Sequence, residues 1–269
     1  RRPIVHRFRP MLPLTIAIIA KNEAHHLRRL LPRLVAMNAR IAVVIDSTTT
    51  DDSEAVCMEY GATVRVEPWR GSIEQKNAAL AMCSGDWVWS LDADEFPDDE
   101  LCDEVARFIA SGTPGAALIR RRTVYMGKTL RFAWQPDIHL RLVHTSLNPR
   151  FINERGHDKM SCDRSMSTTL KGWMDHHSFR SVRHHFEKTV YYAQLGADDY
   201  HARGRSATVL NLLVNPMHAW FKMSVLRGAL LDGLPGVLAG LSAWLHVFLK
   251  YAMLLEKRRM EKHRNGRPQ

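Results

Sequence analysis

A chain of 269 residues with 45% hydrophobic and 25% charged content can bury a full α/β core with an appendage, or two small domains, and is not compositionally disordered. The formal charge of +10 is concentrated at the ends: residues 1–10 carry four arginines and no acid, and residues 256–269 carry six Lys/Arg against two Glu, leaving only +2 for the middle. This is not a uniformly basic nucleic-acid binder, and basic termini next to an apolar stretch point instead to an anionic membrane surface.

The first apolar run, Met11 to Ala20, is broken by Pro13 and is too short and mixed for a signal peptide. Within it Leu14–Ala20 is β-rich and continuously apolar, as a central parallel strand requires. After Lys21-Asn22-Glu23, the spacing of Leu27, Leu30, Leu31, Leu34 and Val35 predicts a helix that tolerates Pro32. A second strand, Ile41–Ile45, ends at Asp46 in a run of small polar residues suited to a loop and a helix N-cap. The helix that follows reaches about Tyr60 and is closed by Gly61. A strand at Thr63–Glu67, a helix from about Ile73 to Cys83 and a strand at Trp87–Leu91 complete an alternation that predicts a mostly parallel sheet covered by helices.

The strand at Trp87–Leu91 runs into Asp92-Ala93-Asp94-Glu95. Carboxylates at the carboxyl end of a strand, where α/β sheets open their ligand crevice, offer hard oxygen ligands to Mg2+ or Mn2+, which grips a diphosphate. An isolated Asp-x-Asp is equally a solvated turn before an acidic helix start, and the chain continues Phe96-Pro97-Asp98-Asp99-Glu100. Eight acids fall between residues 92 and 104, a density predicting like-charge repulsion that a cation would relieve. No Gly-x-Gly-x-x-Gly follows the first strand and no P-loop motif occurs. The four cysteines show no Cys-x-x-Cys spacing, which speaks against a zinc knuckle or disulfide frame and for reduced thiols in a cytosolic compartment.

The blocks TIAIIAKNEA, VVIDSTTTDDS and GSIEQKNAALAMCSGDWVWSLDADE together resemble the N-terminal half of the family-2 glycosyltransferases, which have the GT-A fold. Downstream, WQPDIHLRLV, NERGHDKM, LKGWMDHHSF, LLDGLPGVLAG and FLKYAMLLE are similar to the subgroup of lipopolysaccharide-core β-1,4-glucosyltransferases, so the resemblance covers about residues 14–256. The chain departs from that subgroup at His157-Asp158, where a His-Glu is usual, and at His176-His177-Ser178-Phe179, where the subgroup has a tyrosine-rich run.

The resemblance implies that Ala20, Asn22, Glu23 and Asp46 hold the uracil and ribose of a UDP-sugar. Carboxylates and backbone groups at adjacent strand ends have the right hydrogen-bonding chemistry for this, although Asn22-Glu23 and Asp46 are equally read as helix caps. Asp92, Ala93 and Asp94 would meet the diphosphate, with Asp94 the direct metal ligand and Asp92 nearer the ribose or reaching the metal through water. Lys76 would contact the diphosphate or anchor Asp92, and His176 would add a metal ligand or a diphosphate contact. Inverting transfer needs a carboxylate to take the proton of the attacking hydroxyl. Asp158 stands where the subgroup has its glutamate, and Asp137 is the substitute, although a turn residue after Pro136 accounts for it as well. Trp134 offers a face for sugar stacking or a core side chain, and Arg141 is expected to contact the acceptor.

From about Ser181 the character changes to periodic helices leading into Gly236–Leu255, where Lys250 is the single charge. Twenty residues at ~1.5 Å each just span ~30 Å of hydrocarbon. The polar positions Arg227, Asp232, His246 and Lys250 favour helices lying on the membrane or re-entering it, against a soluble bundle. The expectation is therefore a GT-A domain over residues 1–180, with a nucleotide-sugar half (11–100) and an acceptor half (101–180), and a membrane-associating region over 181–269. Its implied work is hexosyl transfer, with glucose from UDP-glucose, to a lipid-linked saccharide at the cytoplasmic face of the inner membrane. Transfer to a polyprenyl phosphate, or a silent membrane- or saccharide-binding module of the same fold, are the alternatives.

Overall fold

The computed structural model describes residues 11–154, 157–163 and 167–265. The first of the two basic ends on which the charge argument rests, residues 1–10, thus lies outside the described residues, as do residues 266–269 of the second. In chain order the elements are β1 (Leu14–Ala20), α1 (Ala24–Ala36), β2 (Arg40–Asp46), α2 (Ser53–Glu59), β3 (Thr63–Glu67), α3 (Ser72–Ala81), β4 (Trp87–Asp92), β5 (Glu95–Pro97) and α4 (Asp99–Ala110). They continue with β6 (Ala116–Tyr125), β7 (Lys128–Thr129), β8 (Asp137–His144), β9 (Arg150–Glu154), β10 (His157–Ser161) and β11 (Thr168–His176). Three long helices follow: α5 (Val182–Ala202), α6 (Val209–Phe221) and α7 (Leu234–Asn265).

Two compact units result. The first comprises the chain up to Arg121 together with Ile138–His176; the second comprises Arg122–Asp137 and the chain from His177 onward. A single cut at residue 180 was expected. The short stretch 122–137 instead belongs with the helices.

In the first unit the sheet order is β3-β2-β1-β4-β8-β6-β11-β5, parallel through the first four strands. The parallel half follows directly from the apolar strand–helix alternation: β1 is buried along nearly its whole length, as a strand covered on both faces must be. Leu27, Leu30, Leu31 and Leu34 of α1 are fully buried in the same core as Ile16, Ile18, Val43 and Ile45. β8 then pairs antiparallel with β4, through Trp87–His144 and Trp89–Leu142, and β11 pairs antiparallel with β5. The hairpin β9–β10 is separate, pairing Asp158 opposite Asn153. It is clamped to α3 by Asn77, whose side chain donates to Phe151 O (3.0 Å) and accepts from Phe151 N (2.8 Å).

In the second unit α7 packs against both α5 and α6. Its core joins Tyr125, Leu130 and Ala133 to Met223, Ala229 and Ala239. The bolt is Asp232, 1% exposed, whose carboxylate accepts from three successive amides, Arg131 N, Phe132 N and Ala133 N, at 2.8–3.0 Å. Lys250, read from sequence as a charge inside an apolar span, lays its ammonium 4.4 Å from the Tyr200 ring of α5.

Candidate active site

β2, β1 and β4 are neighbours in the sheet, and their register places Ala20 opposite Ile45 and Ile19 opposite Asp92. Ala20, Asp46 and Asp92 therefore finish on adjacent strands at one edge, where parallel sheets expose their crevice. Asp46 is 1% exposed and accepts from Thr48 N (2.8 Å) and Thr48 Oγ1 (2.9 Å), with Lys21 Nζ at 2.9 Å. The Thr48 amide holds its carboxyl below the usual range against the opposing effect of burial, and Lys21 adds to the lowering. Asn22, in the left-handed region at φ 53°, accepts from Thr50 N at 2.8 Å. Glu23 lies 2.6 Å from His26 Nδ1, and its amide donates to Ser53 Oγ. The helix-start duty falls largely to Asp51, which accepts from Ala24 N at the start of α1 and from Ser53 N at the start of α2.

Beside these strand ends lies a network of three carboxylates and three cations. Lys76, on α3 and 7% exposed, places its ammonium 2.8 Å from Asp92 Oδ1 and 2.5 Å from Asp158 Oδ2. Arg141, brought to the end of β4 by β8, donates to Asp92 Oδ2 and to Glu95 Oε1, each at 3.0 Å. Glu95, with no exposed surface, also receives Arg121 at 2.6 Å and accepts from Asp92 N at 2.9 Å. The charges balance within the cluster, which is the condition for burying them at all. Burial opposes ionisation of Asp92, yet Lys76 and Arg141 outweigh it and hold the carboxyl well below the usual carboxylate range. Asp158 is lowered in the same way, burial being overcome by Lys76.

The repulsion expected among the acids of residues 92–104 is offset at several of them, because the fold gives each of these its own partner. Asp98 caps α4 by accepting from Leu101 N, Glu104 accepts from Lys171 N and Gly172 N, and Asp92 and Glu95 are neutralised by cations. Arg141, an expected acceptor contact, is 5% exposed and engaged with the two acids Asp92 and Glu95. Glu95 and Arg121 were given no role from sequence. The signal available was Arg120-Arg121-Arg122 within a strand, where one side chain of such a triplet must meet the inner side of the sheet.

His176, at the end of β11 and paired with Glu95, has Nε2 3.5 Å from Asp94 Oδ1. Ala93 is the buried residue of the turn between the two aspartates. Trp134 and Asp137 belong to the second unit. There Trp134 is half-buried, with its ring 5.3 Å from Phe179 and 5.5 Å from His185, and Asp137 opens β8.

The sequence profile of the family described as Glycosyl transferase family 2 matches residues 15–173, more than half the chain, and spans every member of this network. The chain belongs to glycosyl transferase family 2. Similar to this glycosyltransferase over nearly its whole length is the lipopolysaccharide core biosynthesis glycosyltransferase LpsC of Rhizobium meliloti (strain 1021), 24% identical and covering 95% of this chain and 97% of its own. The glycosyltransferase RP128 of Rickettsia prowazekii (strain Madrid E) is 26% identical, over 91% of this chain and 87% of its own. Among solved structures, S. aureus TarS 1-349 in complex with UDP-GlcNAc is 14% identical, covers 94% of this chain and 92% of that one, and superposes with a TM-score of 0.49. The glucosyl-3-phosphoglycerate synthase from Mycobacterium tuberculosis, with Mn2+ and UDP-glucose, is 16% identical, covers 73% and 81%, and has a TM-score of 0.46.

In this glycosyltransferase the parallel β3-β2-β1-β4 half, its helices and the antiparallel strands beyond β4 form the GT-A fold expected from the resemblance. Among the described residues no group of three or more His, Cys, Asp or Glu side chains is placed to hold a metal ion. Asp94 and His176, with Nε2 and Oδ1 3.5 Å apart, are the pair that would have to hold one. A hard divalent cation bound through one or two side chains and completed by substrate phosphate and water fits such a pair. Asp92 fits less well as a direct ligand, since Lys76 and Arg141 already occupy its two oxygens.

Proposed function

We propose that this enzyme is an inverting, metal-dependent hexosyltransferase that moves glucose from UDP-glucose onto a core sugar of a lipid-linked saccharide. The observation that carries this reading is the shared ammonium of Lys76, which ties Asp158, the proposed base, to Asp92 at the end of the nucleotide-side strand. Ala20, Asn22, Glu23 and Asp46 are assigned to the uridine, and the turn Asp92-Ala93-Asp94 to the ribose and diphosphate. Asp94 and His176 would hold a Mg2+ or Mn2+ ion. Bound there, the cation would offset the negative charge that builds on the departing UDP.

Asp158 is ionised at neutral pH, as a base must be, with Lys76 on Oδ2. A carboxylate so stabilised is a weak base. An incoming diphosphate would compete for the same ammonium, so that Asp158 gains basicity once donor is bound. Arg141 enters this scheme as the partner that orients Asp92.

The acceptor side rests on the similarity to LpsC, whose printed role is lipopolysaccharide core biosynthesis, and on the second unit. Leu234–Glu261 is long and apolar enough to cross a membrane, with a mean hydropathy of 1.5. Several features favour attachment to the membrane surface over crossing. Lys250 and Lys257 are both spent on α5, at Tyr200 and Asp198. The fully open apolar face belongs to α6, where Leu210, Leu213, Val214 and Met217 are all more than half exposed. The cytoplasmic face of the inner membrane is the location that follows, for an enzyme drawing on a soluble nucleotide sugar.

Calorimetric UDP binding tests the donor side: it should require Mn2+ and disappear in Asp94→Asn, and undiminished binding without metal would count against the cation. Asp158→Asn should keep UDP affinity within twofold while transfer falls at least ~100-fold. If transfer survives that change and is abolished by Asp137→Asn, the base is Asp137. Glucose appearing in polyprenyl phosphate and never in delipidated core oligosaccharide would move the acceptor to the lipid carrier.

A further inference from the structure

A cavity of about 390 Å³ lies within the second unit, between α5, α6, the turn that follows α6, and α7. Its walls are aromatic and aliphatic, among them Trp134, Phe179 and Val247. Three cations border it, Lys188, Lys222 and Arg227, and no Asp or Glu is among its lining residues. Lys188 is fixed in place, donating to Ser178 O at 3.0 Å with its ammonium 5.9 Å from the Phe179 ring. Lys222 and Arg227 are exposed, and neither side chain has a hydrogen-bond or ion-pair partner among the described residues. Two other cations at helix surfaces in this unit are matched, Lys257 by Asp198 and Arg203 by Asp199. An apolar chamber bordered by uncompensated cations is complementary to a molecule with an anionic head and a hydrocarbon body.

We propose that this cavity binds one anionic phospholipid, its phosphate on Lys222 and Arg227 and the first part of an acyl chain against Trp134, Phe179 and Val247. The assignment rests on the reading that the helical unit works at a bilayer. It adds a stoichiometric lipid site to the non-specific attraction that exposed apolar side chains provide. A single lipid held this way would fix the depth at which the unit sits, which a greasy helix face does not. The saccharide part of the acceptor is a poorer fit, because the wall surface open to the cavity is mainly apolar, although Thr189, Ser242 and His246 are among its lining residues.

The test uses the full chain and a short-chain lipid, dihexanoyl phosphatidylglycerol, kept below its micelle concentration and titrated by calorimetry with tryptophan fluorescence in parallel. Saturable one-to-one binding is expected, at least tenfold weaker for dihexanoyl phosphatidylcholine and at least tenfold weaker in the Lys222→Ala/Arg227→Ala double variant. Both residues are on the surface, and unchanged circular dichroism and unchanged UDP affinity would show that the variant is folded and that the donor site is unaffected. Equal binding by wild type and double variant overturns the assignment, as does competition by inorganic phosphate or glucose 6-phosphate as strong as that of the lipid. Absence of short-chain lipid binding in a protein that still sediments with anionic vesicles also overturns it, leaving the membrane reading intact.

Discussion

Glu95 shows how a residue with no exposed surface can govern a site it does not line. It receives Arg121 and Arg141 and accepts the Asp92 amide, so it sets the backbone of the turn and the charge balance beneath it. Replacing it by glutamine keeps the shape and removes the negative charge that Arg121 and Arg141 share, leaving Arg141, whose Nε and Nη1 are without partners among the described residues, to the single carboxylate of Asp92. Glu95→Gln should therefore lose about 3 kcal/mol in urea unfolding, close to the cost of breaking a buried ion pair, and should weaken UDP binding even without touching UDP. A stability change below ~1 kcal/mol would show that the network is not charge-coupled. Only part of this was legible beforehand. Asp92, Asp94 and Asp158 stand out because acids at strand ends have few structural reasons to be there. Glu95 and Arg121 do not stand out, since their pairing joins residues 26 positions apart on strands that are not neighbours in the sheet and leaves no local pattern. The buried His185 offers a second test. Burial pushes its pKa down from 6.5 to about 4, with His184 adding to the effect, so the folded imidazole refuses a proton that the unfolded one accepts. Above pH ~6.5 both states are neutral and nothing is lost. Stability should fall as pH drops from about 6.5 towards about 4, by no more than ~3 kcal/mol. The difference in melting temperature between wild type and His185→Phe, followed across that window, should shrink as pH falls, and a constant difference would refute the assignment.

At the scale of elements, β1, β3 and β4 end within a residue of the last apolar side chain of their runs, and Gly61 takes up φ 72° after α2, as a left-handed helix stop should. These features are local, which is why the pattern of side chains suffices for them. The partition of residues 122–137 is not local. It depends on Asp232, a residue that from sequence merely interrupts an apolar run and that in the fold gathers three amides about 100 positions earlier in the chain. Removing its carboxylate in Asp232→Ala leaves those amides unsatisfied in a buried place. A loss of about 3 kcal/mol is expected, seen as an early unfolding transition reported by Trp134. Because every acceptor atom of this bolt lies in the second unit, Mn2+-dependent UDP binding at temperatures below that transition should stay within twofold of wild type. A proportionate loss of UDP affinity would mean that the two units do not fold independently.

For the molecule as a whole, the formal +10 charge is misleading about where its chemistry is. The active-site charges cancel among themselves, and much of the excess is carried by chain ends outside the described residues. The helical unit carries the row Leu210, Leu213, Val214, Met217 at helical spacing on α6, with Leu226 and Leu231 beyond it, each between 51% and 71% exposed, and the proposal of membrane attachment rests on it. Soluble monomers seldom display so continuous an apolar face. Burying a leucine side chain contributes about 1.5–3 kcal/mol, so two leucines turned to aspartate on this face remove enough to change partitioning by well over tenfold. Leu210→Asp/Leu213→Asp should accordingly release the protein from anionic vesicles in a flotation assay while leaving UDP affinity as it was. It should also slow transfer to a membrane-embedded acceptor more than transfer to a delipidated one, since only the former needs the enzyme held at the surface. Vesicle binding that persists in this variant and disappears on deletion of the chain beyond Glu256 would assign the attachment to the basic tail, and α6 would then need another partner to cover it.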